Sequence, residues 1–410
     1  MASGDKIYVA REATSQKILA AVTGMHAKRY GYRVKLSEGN PVGRVEYIHD
    51  AVGMTPAYMN FGSAFNYGSW GNIWFVRDNF PCMATYDGYI DYRLKATDYT
   101  LRASGAASDV ANTAYAGNAM SALPCVWYTR YTEDGYYYFI CCEQQYDTTY
   151  WADVHTRSDG TIANYDLDAI YKGSYITTDN KIRLRSLSGQ RPGSNTSGTT
   201  EMTYAKNCGD KWTLRKWNRW SLIGDLLCLM SKSCHSQNAF GQGHTTGGSS
   251  AESLLDTGTL DTSGGFFGYS DTTHAMKVFH QENWYGDRWD RCVGLICRNG
   301  QVLTRMNQVT GEYNFTGDGY SPFGVDIADG GYQKTVMSNR NGNLPTAVGA
   351  SESTFETDYF WINKGIVAVA IVGGSCCDGA GVGSRCVYLL STVSPAWWYT
   401  GASPSLAEPI

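Results

Sequence analysis

Three things are scarce in this 410-residue chain: proline (10 residues), charge (18% Asp, Glu, Lys and Arg) and long apolar runs. With 46 glycines beside so few prolines, turns fall to glycine and strands keep their ladder donors. The 34 Lys and Arg nearly balance the 38 Asp and Glu, so no basic excess exists to displace counterions, and nucleic acid is not an expected partner. The longest apolar run near the C-terminal end, Gly365 to Gly374, covers ten residues. That is about half of a membrane-spanning helix; it reads as a buried strand, and no membrane insertion is expected. The opening MASGDKIYVAREATSQ places Asp5, Lys6, Arg11 and Glu12 where a secretion signal needs an apolar stretch, so none is expected.

Aromatic side chains are abundant instead: 30 Tyr, 12 Trp and 13 Phe in a chain that is 43% apolar. Disorder is excluded by that content, and a β-rich body with adaptable contact surfaces is favoured. The twelve cysteines are spread over the whole length without a CxxC pair, and Cys228/Cys234 and Cys292/Cys297 lack histidines at zinc spacing. They read as free, mostly buried thiols, with no structural metal and no cofactor expected. Seven histidines show no HExxH spacing, and no nucleophile elbow or phosphate-binding glycine loop occurs. The carboxylates Asp256, Asp261, Asp271, Asp318, Asp326 and Asp329 lie in glycine-rich loops without an EF-hand pattern and read as turn residues.

Along the chain, 13–27 reads as a short helix within an N-terminal attachment or oligomerisation segment, 1–60. Short aromatic or alternating runs follow, at 72–75, 84–92, 126–131, 136–142, 169–176 and 181–187, and read as an antiparallel β-rich domain over 61–200. Residues 188–200 (SGQRPGSNTSGTT) carry the strongest linker composition and set a domain boundary. Beyond it, Trp217, Trp220, Ile223, Leu226, Leu227 and Met230 recur at helical spacing and predict an amphipathic helix, interrupted by Gly224. A helix followed by many short strands makes 201–410 an α+β domain, and α+β is the expected fold class.

In that second half, Gln242-Gly243, Lys277-Val278-Phe279 and Glu282-Asn283-Trp284-Tyr285-Gly286-Asp287-Arg288-Trp289 resemble the "ENxxGNxW" segment of the formylglycine-generating-enzyme type of C-type lectin fold, with Asp287 in place of Asn. Residues 373–402 resemble the end of that fold as used in variable proteins of diversity-generating retroelements, and 206–243 is similar to phage tail proteins. The resemblance covers about 201–410. It implies a C-terminal C-type-lectin-like domain in a receptor-binding protein of a phage tail. It further implies a scaffold at Gly374, Cys376, Gly379, Gly383, Arg385, Val387, Leu389, Gly401 and Ala402. A variable ligand-binding surface is implied at Cys377, Asp378, Gly381, Cys386, Tyr388, Leu390, Ser391, Pro395, Trp397 and Tyr399. The implied partners are a host-cell surface protein or glycan, other phage tail proteins and further copies of the chain. The implied place is the virion, assembled in the bacterial cytoplasm.

Read without the family, 375–400 mixes Gly, Ser, Cys, Tyr, Trp and Asp in no secondary-structure period, a poor core and a good contact surface. Two other readings compete. A fixed structural tail or baseplate protein would carry the same body with no receptor. The oxidase of the same fold needs two reactive thiols, and its positions are occupied here by Asp378 and Gly383. A non-enzymatic binding protein is therefore the expected function.

Overall fold

A computed structural model describes residues 27–61, 63–305 and 312–410. The helix expected over 13–27 lies outside the described residues, apart from Ala27. Alternating and aromatic runs form strands as expected: Tyr136–Cys142 pairs with both Trp127–Glu133 and Arg29–Lys35, and Val45–His49 completes a four-stranded antiparallel sheet. Tyr32, Val34, Tyr137 and Phe139 point inward from it. Residues 72–75 depart from the expected strand, since Trp74–Arg77 is a single helical turn. Trp74 and Phe75 are buried there, and no neighbouring strand edge is paired with them.

Two larger sheets complete the body. The first has seven strands in the order Trp212–Leu214, Pro404–Leu406, Tyr165–Ala169, Gly117–Pro124, Phe80–Thr85, Ile90–Lys95 and Asp98–Arg102. The second has nine, running from Ser321–Pro322 through Gln301–Thr304, Trp289–Arg298, Ala368–Val372, Val387–Leu389, Tyr359–Ile362 and Gly331–Asn339 to Gly342–Val348, with Thr400–Gly401 added beside Trp289–Arg298. Residues 188–200 do not separate sheets. Pro404–Leu406 inserts between Tyr165–Ala169 and Trp212–Leu214, so one sheet draws strands from both sides of the expected boundary.

The α+β expectation is corrected by these sheets. The described chain is mostly β, 36% strand against 10% helix in four helices, and its strands form several antiparallel sheets rather than a separate C-terminal α+β lectin domain. The expectation came from one long amphipathic helix, Trp217–Ser231, followed by many short strands. All fifteen of its residues are buried. Its apolar side joins the main core, where Trp220 stacks on Trp284 at 4.4 Å. Its polar side, expected to meet solvent, meets buried charges instead.

At the start of this helix, Arg215 pairs with Asp168 (3.0 Å) and Asp290 (2.7 Å), while Lys216 and Arg219 share Asp166. Asp290 also takes Lys172 and Arg288. Further along, Asp225 binds Arg130 (2.6 Å), Arg385 (3.0 Å), the Tyr32 hydroxyl and Asn343. Arg385 and Arg44 in turn hold Glu356. Ions so far from water are costly unless each is paired, and here each carboxylate is shared among several cations, whose remaining donors go to backbone carbonyls. Burial pushes the Lys172 ammonium down to about 8 against the pull of Asp290, whose own carboxyl lies below the ordinary range because Lys172, Arg215 and Arg288 outweigh its burial. Gly224 lets the next segment approach: a Cβ there would stand 3.2 Å from the Ser384 carbonyl oxygen.

Removing one member should expose the cost of the others. Asp290→Asn is expected to lower unfolding stability by about 3–5 kcal/mol, because three cations lose a shared partner. The native Asp290 pKa is depressed, so its contribution is present above the unfolded value near 4 and lost as pH falls below it. Urea unfolding followed by tryptophan fluorescence at pH 7 and at pH 3 checks both: the gap between native and Asp290→Asn protein should narrow in acid.

Candidate functional site

Strand Tyr359–Ile362 alternates its side chains, burying Phe360 and leaving Tyr359 and Trp361 half-exposed. It pairs in parallel with Val387–Leu389, setting Trp361 directly beside Tyr388, and Val387–Leu389 pairs in turn with Ala368–Val372. On the far side, the Trp289 amide donates to the Tyr399 carbonyl at 2.9 Å, where Thr400–Gly401 joins Trp289–Arg298. Strand pairing thus brings four rings from distant stretches of sequence around one opening. Gly373 and Gly374, with φ of +91° and +75°, end Ala368–Val372 in a conformation L side chains avoid, and turn the chain towards Ser375, Cys377 and Asp378.

The opening is a cleft of about 290 Å³ lined by Trp289, Trp361, Tyr388 and Tyr399, with Ser375, Cys377 and Asp378 completing its wall. Trp289 meets Trp361 edge-on at 5.6 Å and 82°, and lies 5.6 Å from Tyr388; Trp361 and Tyr388 are 5.9 Å apart. The rings continue past the cleft in both directions. Trp361 packs on Tyr359 (4.3 Å) and Tyr359 on Tyr332 (5.0 Å); Tyr388 meets Trp397 (6.4 Å), Trp397 stacks on Tyr399 (5.5 Å), and Trp398 meets Tyr399 edge-on. The result is an unbroken ribbon of eight rings in which only Trp289 is fully buried. Each such pair contributes about 0.5–1.5 kcal/mol beyond its area, so the rings hold one another in place.

Its polar groups are few. The Ser375 hydroxyl and backbone amide donate to one Asp378 oxygen at 2.6 and 2.8 Å. Burial pushes the Asp378 carboxyl above the usual range, opposed by Ser375 and the Trp289 indole; no lysine or arginine contributes to its shift. Cys377 is exposed, and its thiol donates to the Gly248 carbonyl at 3.4 Å, while Cys376 is buried, its thiol pushed up by burial and by Asp287.

Of the ten expected contact residues, Cys377, Asp378, Tyr388 and Tyr399 share the cleft, and Trp397 stacks on its edge. Ser391 lies beside it, 3.3 Å from the Tyr388 hydroxyl. Leu390 and Pro395 are half-buried, and the Pro395 carbonyl is held by Arg291. Gly381 and Cys386 do not belong to the surface: Gly381 is buried, and Cys386 packs under Trp289 and Ile371. Both belong to the buried run 381–387, which begins at the end of the turn Gly379–Gly381. Trp361, Tyr359 and Tyr332 were missed. The signal for the first two was present in Tyr359-Phe360-Trp361, two aromatics flanking a buried one, but nothing local shows that this strand runs beside Val387–Leu389. The loop carboxylates are dispersed: Asp256 pairs with Arg191, Asp271 with His274, Asp318 with Arg298 and Asp329 with Lys364, and Asp261 accepts from Tyr171 and Ser188.

The segment from Glu282 to Trp289 is an internal hub, every residue of it buried. Glu282 accepts the Gly258 and Leu260 amides, Asp287 holds His244 at 2.8 Å, and the Tyr285 hydroxyl donates to the Gly241 carbonyl. Compared with protein-family models and with curated proteins, the sequence finds no match in either.

The cleft makes one thiol distinctive. Of the twelve cysteines only Cys377 is exposed, so the native protein is expected to yield one rapidly reacting thiol with a water-soluble maleimide, and Cys377→Ser none. Mass spectrometry of the labelled protein reads this, and rapid labelling of Cys376 or Cys125 would contradict the geometry.

Proposed function

We propose that this is a non-enzymatic binding protein whose contact surface is the aromatic ribbon running from Tyr332 to Trp398, and that it serves as the host-contacting protein of a phage tail. The observation that carries the binding reading is the ribbon itself: eight contiguous rings, seven of them partly open to solvent. Large rigid rings with few rotors lose little entropy on contact and concentrate binding energy, which is why they dominate hot spots. Contiguous exposed apolar surface of this kind marks an interaction site more often than a bare exterior.

The support comes from how the segment is attached as well as from what it displays. Arg385 ties it to Asp225 and Glu356 in the buried ion network, and Gly224 lets Ser384 seat against the central helix. Beyond these anchors, Cys377 is exposed and Asp378, Tyr388, Trp397 and Tyr399 are partly open to solvent. In this reading these five are the positions at which relatives binding other targets differ, while Gly381 and Cys386 stay fixed. The tail setting rests on the likeness of 206–243 and 373–402 to phage tail and retroelement variable proteins. The target is a host-cell surface protein or glycan, and several copies on one particle raise weak single contacts by avidity.

Trp397→Ala and Tyr399→Ala are each expected to reduce attachment of the fluorescently labelled protein to its host cells by tenfold or more. Thermal midpoints should move by less than a few degrees, since both rings are partly exposed. Full attachment by both variants, or their failure to fold, would overturn the assignment of the ribbon as the contact surface.

A further inference from the structure

The cleft at the middle of the ribbon has a composition that narrows its ligand, and the argument here rests on the binding reading above. Trp289, Trp361, Tyr388 and Tyr399 form walls at steep mutual angles, 82° between the two tryptophans and 54° between Trp289 and Tyr388. Ring faces carry partial negative charge, so walls turned towards a common space attract a cation placed between them. The single carboxylate in that wall is Asp378, which carries negative charge when ionised, and none of the ion pairs among the described residues engages it. Some buried carboxylates of this protein, such as Asp225, Asp290, Glu201 and Glu356, are matched by lysine or arginine, while others, such as Asp261 and Glu282, are held by hydroxyls or backbone amides. Asp378 faces the cleft without such a match.

The hydrogen-bonding groups settle which cation fits. The Ser375 hydroxyl is spent on Asp378, and the Tyr388 hydroxyl lies against Ser391. A guanidinium brings five N–H donors and a primary ammonium three, whereas the acceptors in the lining are one carboxylate, already engaged by Ser375 at one oxygen, and the Tyr388 and Tyr399 hydroxyls. A trimethylated ammonium carries its charge on methyl groups and brings no donor. We propose that the cleft is a cage for a quaternary trimethylammonium group, with Trp289, Trp361, Tyr388 and Tyr399 as its walls and Asp378 as its counter-charge. Choline head groups and trimethylated lysine both present this group.

The test is a tryptophan-fluorescence titration of the full chain with choline chloride and with 3,3-dimethyl-1-butanol, its neutral isostere. Choline is expected to bind at least tenfold more tightly than the isostere. Equal affinity would show a merely apolar cleft and overturn the cage, as would no binding of choline. Asp378→Asn and Trp361→Leu are each expected to lose tenfold or more, whereas Tyr388→Phe, which keeps the ring and removes the hydroxyl, should bind choline as the native chain does. Loss in Tyr388→Phe would point to hydrogen-bonded recognition and overturn the cage. Phosphocholine and an Nε-trimethyllysine peptide, titrated separately, distinguish a head group from a modified protein as the source. If choline fails to bind while Trp397→Ala and Tyr399→Ala still lose attachment to cells, the contact surface stands and the cage alone falls.

Discussion

The architecture depends on ion pairs that never see water. A fifteen-residue helix lies wholly inside a mostly β body, and its polar residues are acceptable there only because Asp166, Asp168, Asp225, Asp290 and Glu356 are each shared among arginines or lysines from other elements. A network of this kind is poor as a source of net stability, since desolvation consumes most of the Coulombic attraction. Its value lies in discrimination. A misregistered strand would strand an unpaired charge in the interior, so the pairs favour one arrangement over compact alternatives. The four-stranded sheet contributes Arg44, Arg130, Tyr32 and Tyr137, and the contact segment contributes Arg385, so regions hundreds of residues apart are registered against the same helix.

That registration bears on recognition. Binding surfaces gain affinity when their shape exists before the partner arrives. The segment from 375 to 400 has little regular structure of its own: a 3-10 turn, the three-residue strand Val387–Leu389 and the beginning of Thr400–Gly401. It is nevertheless held at Arg385 by Asp225 and Glu356, at Ser375 by Asp378, and at Thr400 by pairing with Trp289. Between these points Val382, Cys386, Val387 and Leu389 are buried in the core, while Tyr388, Trp397 and Tyr399 keep partly open faces.

How far this was legible before the structure varies with the range of the interactions. The strand at 136–142 and the long helix after residue 216 were readable because their periodicities are local. The helix was nonetheless misjudged: its Asn218, Arg219, Ser221 and Asp225 look like a solvent-facing stripe until their partners are known, and those partners lie elsewhere in the chain. The same limit hid Trp361, whose neighbour Tyr388 is set by a parallel strand pair with no local signature. Glycine, serine and threonine at 188–200 gave a true loop but a false separation, because composition reports backbone freedom and not which sheets the flanking strands join. Cys377, Asp378, Tyr388 and Tyr399, which line the cleft, came from the resemblance of 373–402 to variable proteins, and so did Gly381 and Cys386, whose burial depends on packing that a resemblance does not show.

The position of Pro404–Leu406 carries a consequence for synthesis. This short strand lies between Tyr165–Ala169 and Trp212–Leu214 and is the only link between them within that sheet. While the ribosome is still translating the region around residue 400, Tyr165–Ala169 has an unsatisfied edge, and the buried charges beside it lack Ser403, which donates to Asp290. The sheet therefore stays partly assembled and open to edge-to-edge pairing until Pro404–Leu406 emerges. A ribosome stalled before residue 404 would hold a body unable to close, and a chaperone that masks strand edges would act in that interval.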